Sequence, residues 1–523
     1  MNRVHVLDCT LRDGGYCNQW EFGFESVKKI TNELTEANID IIECGFLTNK
    51  VVYDPNITKF TTIEEISTVI PEKRKDKFFV AMMNYGEYDI NDLPEYDGSS
   101  IEGIRVAFHK KNLVEALKLC EQIKEKGYKV FIQAMASLSY TDEEFMDMIR
   151  SVNKFEPYAF YIVDSFGMMK GKDLIRLFYM VEHNLKEKVW IGFHSHNNMQ
   201  LAYSNAQSLV CVQTNRNLII DSSVYGMGRG AGNLNTELFV EYLNENAETS
   251  YNLKPLLFII DKILNDFYQL NYWGYSLPNY LSASHYAHPD YASFLDDKKT
   301  LTVEDMNEIF DMMDEDKKDS YDKEYIEELY LRYMATEKVQ DEHKVELREK
   351  LAGKRVVLIA PGKSCIDEQT KILDIILSDD VISISINFDY QDTDFIFLSN
   401  LRRFRDLDKT KKGKCIVTSN IPADNVYLQT KYSDLLTNER AVKDNAGLMA
   451  IRFFINYGVK EILLAGFDGY SHDVNENYGD SHMALVTKNA VLDAMNEGMI
   501  RVIRNYSKEI KINFLTIPKY VKI

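Results

Sequence analysis

Eight short apolar runs, rich in β-branched and aromatic residues, recur through the first half of this chain and constrain its fold more than any other feature. They are "VHVLDC", "IDIIECGF", "FFVAMMN", "GIRVAF", "KVFIQAMA", "AFYIVDSF", "WIGFHSHN" and "LIIDSSVYGMG". Between most of them lie amphipathic patterns, such as Asn112 to Lys126 and Thr141 to Phe155, with apolar residues at i, i+3 and i+4. Continuous apolar strands alternating with such helices imply a parallel sheet covered by helices. Eight units over about 250 residues match the size and count of a (β/α)8 TIM barrel, with a doubly wound open sheet as the alternative.

Polar residues interrupt these runs where a barrel would use them. Asp13 follows strand one, Glu43 is expected to end strand two, Arg105 lies in strand four and Gln133 in strand five. Asp164 ends strand six, His194 and His196 end strand seven, and Asn233 follows strand eight. Active sites in this fold lie at the C-terminal strand ends, so these groups are expected to converge on one mouth. "FHSHNN" places two imidazoles on one face of a strand. With the carboxylate of Asp13 they make a facial site for a divalent cation, with open positions for substrate. Histidine and oxygen ligands suit Mn²⁺ or Mg²⁺ better than Zn²⁺. A metal beside Arg12 points to enolate stabilisation, with a 2-oxo acid bound through its carboxylate and keto oxygens.

The barrel accounts for only part of the 523 residues, so further domains are expected. The reading places a barrel with a helical extension at 1–295, a charged helical linker at 296–350 and a second α/β domain at 351–523. The linker carries runs such as "DMMDEDKKDSYDKEYIEELYLRY". From Lys354 a new alternation, "KRVVLIAPGKS", "VISISINF", "DFIFLSN", "KCIVTSN", "EILLAGFDGY" and "INFLTIPKY", reads as a Rossmann-like open parallel sheet. "IAPGKS" is no P-loop, because Val357 stands where Walker A needs a glycine. Its Gly362 and Ser364 amides are candidates to cradle a phosphate ahead of a helix.

A formal charge of −19 argues against general nucleic-acid or membrane-surface binding. No stretch reaches the roughly 18 apolar residues of a membrane span. The seven cysteines lack any C-x-x-C spacing and the N-terminus lacks an apolar signal core, so a cytoplasmic protein with reduced thiols is expected.

"DCTLRDG", "HSHNN…LAYSNA" and "DSSVYGMGRGAGNLNTE" together resemble the DRE-TIM metallolyases, over about residues 3–245. That superfamily includes 4-hydroxy-2-oxovalerate aldolase, HMG-CoA lyase and the isopropylmalate synthases. The resemblance implies Asp13, His194 and His196 as metal ligands, Asn233 as an additional ligand and Arg12 as the enolate-stabilising arginine. Glu43 and Asp164 match acidic positions at the same mouth. Where the pyruvate-aldolase branch carries a proton-transferring histidine, this chain has Tyr16. The base then comes from Tyr16 or from His285 or His288 in "SASHYAHPDY".

In the second half, "IAPGKS", "SINF" and "GVKEILLAGFDGY" resemble a bacterial sialyltransferase-like group of CMP-sugar binders, over about residues 354–520. This implies nucleotide or sugar-phosphate binding at Gly362, Ser364, Asn387 and Asp468. "SINF" lacks the arginine of true sialyltransferases, so glycosyl transfer is not carried over. The expectation is a bifunctional, homo-oligomeric protein. Its barrel would be a metal-dependent aldolase or lyase for a 2-oxo acid and an aldehyde, and its second domain would bind a cytidine nucleotide or nucleotide-sugar in surface-glycan synthesis. The alternatives are a Claisen-type acyl-CoA synthase or lyase, and a barrel that serves only as a scaffold.

Overall fold

Because side chains alternate along a strand, each of the eight apolar runs has one face for a barrel axis and one for covering helices. The computed structural model describes residues 4–72, 77–298, 300–335, 343–391, 393–479, 483, 485, 487 and 489–521. Its barrel strands are β1 (Val4–Asp8), β2 (Ile41–Leu47), β3 (Phe78–Asn84) and β4 (Gly103–Phe108). They continue as β5 (Lys129–Ala134), β6 (Ala159–Asp164), β7 (Trp190–Ser195) and β8 (Leu218–Ser222). All neighbours pair in parallel, and β1 closes the barrel by pairing with both β8 and β2, Val4 opposite Leu218 and Leu7 opposite Ile41. The chain is α/β, and its first part is the closed eight-stranded parallel barrel expected from the apolar runs.

The outward face of the strands, including Ile42, Phe79, Ile104, Ile132, Ile162 and Ile220, packs against the helices. Helix Asp142–Phe155 shows how: Thr141 and Glu144 form a capping box, and Phe145, Met148, Ile149 and Val152 face inward. On the inner face, Leu7, Ile41, Val80, Phe131, Tyr161 and Ile219 plug the axis. Two residues further along, the same inward line changes character. Ile41 gives way to Glu43, Gly103 to Arg105, Gly192 to His194 and Ile219 to Asp221. The lower barrel is therefore a packed core and the next layer up is charged. Glu43 does not end its strand as expected; β2 runs on through Cys44 to Leu47, with a register shift against β3 between Glu43 and Phe46. The apolar run continues past the acid, so pairing continues too.

The chain divides into two compact units, Met1–Ser293 with Asp314–Tyr321, and Phe294–Met313 with Asp322–Ile523. Residues 296–350, read as a charged linker, contribute helices Val303–Asp311 and Lys323–Met334 to the second unit. Their inner faces bury Met306, Ile309, Phe310, Ile326, Leu329, Tyr330 and Met334, and the Tyr330 hydroxyl donates to Asp444. The charge runs are the solvated faces of amphipathic helices. Residues 299 and 336–342 of that expected linker lie outside the described residues.

The second unit holds a seven-stranded parallel sheet of β9 (Arg355–Ile359), β10 (Val381–Ile386), β11 (Phe395–Leu398), β12 (Cys415–Thr418), β13 (Leu428–Thr430), β14 (Glu461–Ala465) and β15 (Ile512–Phe514). The order is β13-β12-β11-β10-β9-β14-β15. The winding reverses at β9, which leaves a crevice at the carboxyl ends of β9 and β14.

Candidate metal centre

The site begins where β1 ends. The Asp8 carboxylate accepts the Thr10 amide at 3.0 Å and the Thr236 hydroxyl at 2.7 Å, which starts the one-turn helix Thr10–Asp13 over the mouth. Burial pushes the Asp8 carboxyl up to about 6, against the bonds from Thr10 and Thr236. Opposite, the backbone at Gly228 presses on the site. A Cβ there would lie 2.2 Å from Asn233 Nδ2 and 2.7 Å from Asp13 Oδ2, so any side chain would displace this pair.

Asp13, His194 and His196 are all buried, and each offers one ligand atom within 4.8 Å of those of the other two. His194 Nδ1 lies 2.9 Å from Asp221 Oδ2. A carboxylate there accepts a hydrogen bond from Nδ1–H and leaves Nε2 for an ion, the usual outer support of a ligating histidine. The two rings stand perpendicular with centroids 5.2 Å apart, and His196 Nδ1 is 3.7 Å from Asp13 Oδ2. The loop after β8 folds back so that Asn233 bridges to His196, and Asn233 Nδ2 donates to Asp13 Oδ2 at 2.6 Å. Burial pushes His196 down to about 3, against the pull of Asp13, so this imidazole is neutral and able to ligate. Burial would raise Asp13, but Arg12 and the two histidines outweigh it and hold the carboxyl below the usual range. Asn233 Oδ1 and His196 Nδ1 are buried without a hydrogen-bond partner. A carboxylate, two imidazoles and an orphaned amide oxygen fit a divalent cation.

Behind the ligands runs a chain of alternating charges. Arg12 pairs with Asp13 and donates from Nε to Glu43 Oε2 at 2.9 Å. Arg105 Nη1 lies 2.8 Å from the same Glu43 oxygen, and its Nη2 pairs with Asp221, the partner of His194. Burial disfavours the Arg12 cation, but Glu43 and Asp13 more than restore it and raise its pKa above the ordinary value. Arg12 Nη2 is buried and unpartnered. Sequence reasoning found Glu43 and noted Arg105 without a role, but missed Asp221. The available signal was an acid inside the apolar run "LIIDSS", two residues after an axis-facing isoleucine.

The other expected residues fall in three places. Both Asp164 oxygens accept amides of the following loop, from Met168 and Met169 at 3.0 Å each, and burial pushes the carboxyl up to about 7. Tyr16 is 39% exposed, stacks edge-on with Trp20, and lies under the Arg229 guanidinium at 5.5 Å. Desolvation raises its hydroxyl pKa. His288 approaches the same Arg229, with Nε2 3.4 Å from Nη1, while its Nδ1 is 3.2 Å from the Asp290 amide. A neutral imidazole accepts only one of these. Burial, then Arg229, keep its pKa well below the ordinary value. In the second unit, Gly362, Asn387 and Asp468 line one cavity. The Gly362 amide donates to Gly466 O at 3.1 Å and the Ser364 amide to Asp468 Oδ2 at 2.7 Å, so both turn amides are engaged within the chain.

Residues 101–263 match the HMGL-like family. That span holds Arg105, His194, His196, Asp221 and Asn233, while Arg12, Asp13 and Glu43 precede it. The particular relatives are aldolases. The chain is 27% identical over 271 residues to 4-hydroxy-2-oxovalerate aldolase of Geobacillus genomosp. 3, covering 50% of this chain and 78% of the relative. It is 27% identical over 242 residues to 4-hydroxy-2-oxovalerate aldolase 2 of Comamonas testosteroni, covering 46% and 67%. Among solved structures, the N-terminal domain of a candidate aldolase from Bacteroides vulgatus aligns with a TM-score of 0.47 and 27% identity, covering 56% of this chain and 96% of that one.

Proposed function

We propose that the barrel unit is a divalent-metal-dependent aldolase or lyase that makes or breaks a carbon–carbon bond through the enolate of a pyruvate-type 2-oxo acid, with an aldehyde as second substrate. One observation carries this reading: the Asp13–His194–His196 cluster at the strand ends, with the unpartnered Nη2 of Arg12 beside it. The HMGL-like match and the aldolase relatives support it.

Asp13, His194 and His196, with Asn233, would hold Mn²⁺ or Mg²⁺, which supplies Lewis acidity toward the oxygens of a 2-oxo acid. Arg12 offers Nη2 to the oxyanion that develops on the substrate, while Glu43 and Asp13 fix the rest of its guanidinium. Because those partners are already in place, the donor costs no reorganisation. Proton transfer is assigned to His288, which burial and Arg229 keep in the proton-accepting form, rather than to Tyr16, whose raised pKa keeps its hydroxyl protonated. Glu43 and Asp164 act by holding Arg12 and the loop after β6.

For residues 351–523 the proposed role is binding of a cytidine nucleotide or nucleotide-sugar, supported by the sequence likeness and the strand reversal at β9. A homo-oligomer in the cytoplasm, serving surface-glycan synthesis, is the proposed setting. The barrel is tested by exchange of the pyruvate methyl protons for deuterium, which needs no knowledge of the aldehyde. Wild type should exchange and His194→Ala should lose both exchange and most bound metal. Exchange no faster than a metal-only control overturns the enolate reading, and equal metal in the two proteins overturns the ligand set.

A further inference from the structure

The second unit has a cavity of about 650 Å³ where the chain reverses direction, bordered by Gly362 after β9, Asn387 after β10 and Asp468 after β14. That volume suits a ligand of nucleotide size or smaller. Its lining combines two features that neighbouring groups leave unmatched.

The first is Asp468, 1% exposed, whose Oδ2 accepts the Ser364 amide while its Oδ1 has no hydrogen-bond partner among the described residues. A buried carboxylate oxygen is an acceptor only, so its partner must bring a hydroxyl or amine proton. Gly362 packs closely on this carboxylate, since a Cβ there would lie 2.3 Å from Gly466 O and 2.7 Å from Asp468 Oδ2. The second is Arg403. Three cations other than Arg403 line the cavity as well, and two of these have carboxylate partners. Arg440 pairs with Glu324 at 3.1 Å and Glu327 at 2.9 Å, and Lys298 lies 3.6 Å from Asp444. Among the described residues Arg403 has no carboxylate partner, and its charge acts on the Tyr478 hydroxyl. Asn387 accepts the Ser399 amide at 3.1 Å through Oδ1, which turns its NH₂ into a further donor.

We propose that this cavity binds a phosphorylated sugar, free or as the ribose phosphate of a nucleotide, with Asp468 accepting a sugar hydroxyl and Arg403 pairing with the phosphate. A guanidinium fork matches phosphate oxygens bidentately, and an acceptor-only carboxylate matches a polyol. The phosphate does not sit on the Gly362–Ser364 turn, whose amides are satisfied by Gly466 and Asp468. The inference rests on the reading of this unit as a sugar-phosphate or nucleotide binder and is independent of the barrel chemistry.

Calorimetric titration of the full-length protein with CMP, ribose 5-phosphate, cytidine and inorganic phosphate tests it. Ribose 5-phosphate should bind more tightly than inorganic phosphate. Arg403→Ala should weaken the phosphorylated ligands by about tenfold or more, with partial recovery in Arg403→Lys. Asp468→Asn should weaken both sugar phosphates and leave inorganic phosphate unchanged. Among the described residues Arg403→Ala breaks no ion pair, so the test stands even where Asp468→Asn fails to fold. CMP binding far more tightly than ribose 5-phosphate identifies the nucleotide as the source, and equal binding identifies the sugar phosphate. CMP binding that neither substitution alters overturns this site and leaves the nucleotide reading standing. Absence of binding by every phosphorylated ligand overturns both.

Discussion

Both sheets gather polar residues at the C-terminal ends of parallel strands, yet they treat charge in opposite ways. In the barrel, six residues from Asp13 through Arg12, Glu43, Arg105 and Asp221 to His194 pair with one another in a buried row. In the open sheet, among the described residues, a carboxylate oxygen of Asp468 and the guanidinium of Arg403 have no such partners. The difference follows from geometry. A closed barrel points the inward residues of every strand at one axis, so charges meet each other. An open sheet ends in a crevice whose walls stand apart, so its charges are left for something that enters.

The largest test of this contrast is Arg105→Met. It strips Glu43 and Asp221 of their shared counter-ion, and loss of one partner of a buried charge pair costs about 3–5 kcal/mol. All three tryptophans, Trp20, Trp190 and Trp273, lie in the barrel unit, so their emission during urea unfolding follows that unit. A loss below about 1 kcal/mol, the worth of an exposed pair, would break the contrast.

Next in size is Asp8, whose carboxyl is raised from 3.8 to about 6. Folding here favours the protonated form, so its stabilisation is complete below pH 3.8 and is lost as pH rises through 6. Asp8→Asn keeps an acceptor for the Thr10 amide without the charge. Relative to wild type it should gain up to about 3 kcal/mol between pH 4 and 7. A difference that does not change with pH across that window removes the assignment.

Arg12→Lys comes third. Lysine keeps the charge that balances Glu43 and Asp13 but loses the second donor nitrogen. Metal content should hold while deuterium exchange slows by about 10²-fold, as for loss of an oxyanion donor. Undiminished exchange would detach Arg12 from the chemistry. The smallest effect belongs to Arg403→Ala, which should change stability by no more than about 0.5 kcal/mol in far-ultraviolet circular dichroism melts. A larger loss would mean that Arg403 holds the open sheet together as Arg105 holds the barrel.

The barrel was legible because its strands are apolar runs of similar length separated by amphipathic helices, a pattern each residue carries locally. The clustering of Asp13, His194 and His196 was legible for the same reason, since the histidines sit two apart and Asp13 follows a strand. Asp221 was not, because a single acid in a strand reads as an edge or a strand end. Its meaning appears only when β8 is laid beside β7 and β1. Helices were expected over 296–350, but the buried faces of Val303–Asp311 and Lys323–Met334 were hidden by composition, since charged residues outnumber a narrow buried stripe. The strand order of the second sheet is set by long-range packing, and no local pattern encodes it.

The alternating row behind the ligands also restricts how this sequence can drift. Each interior member balances two neighbours, so a single exchange strands at least one charge in a site that water does not reach. Glu43→Gln, for example, would leave Arg12 and Arg105 facing each other across a neutral amide. Tolerated changes at these positions should therefore arise in concert, acid and base replaced together. Homologous barrels that differ at position 105 should differ at 43 or 221 as well.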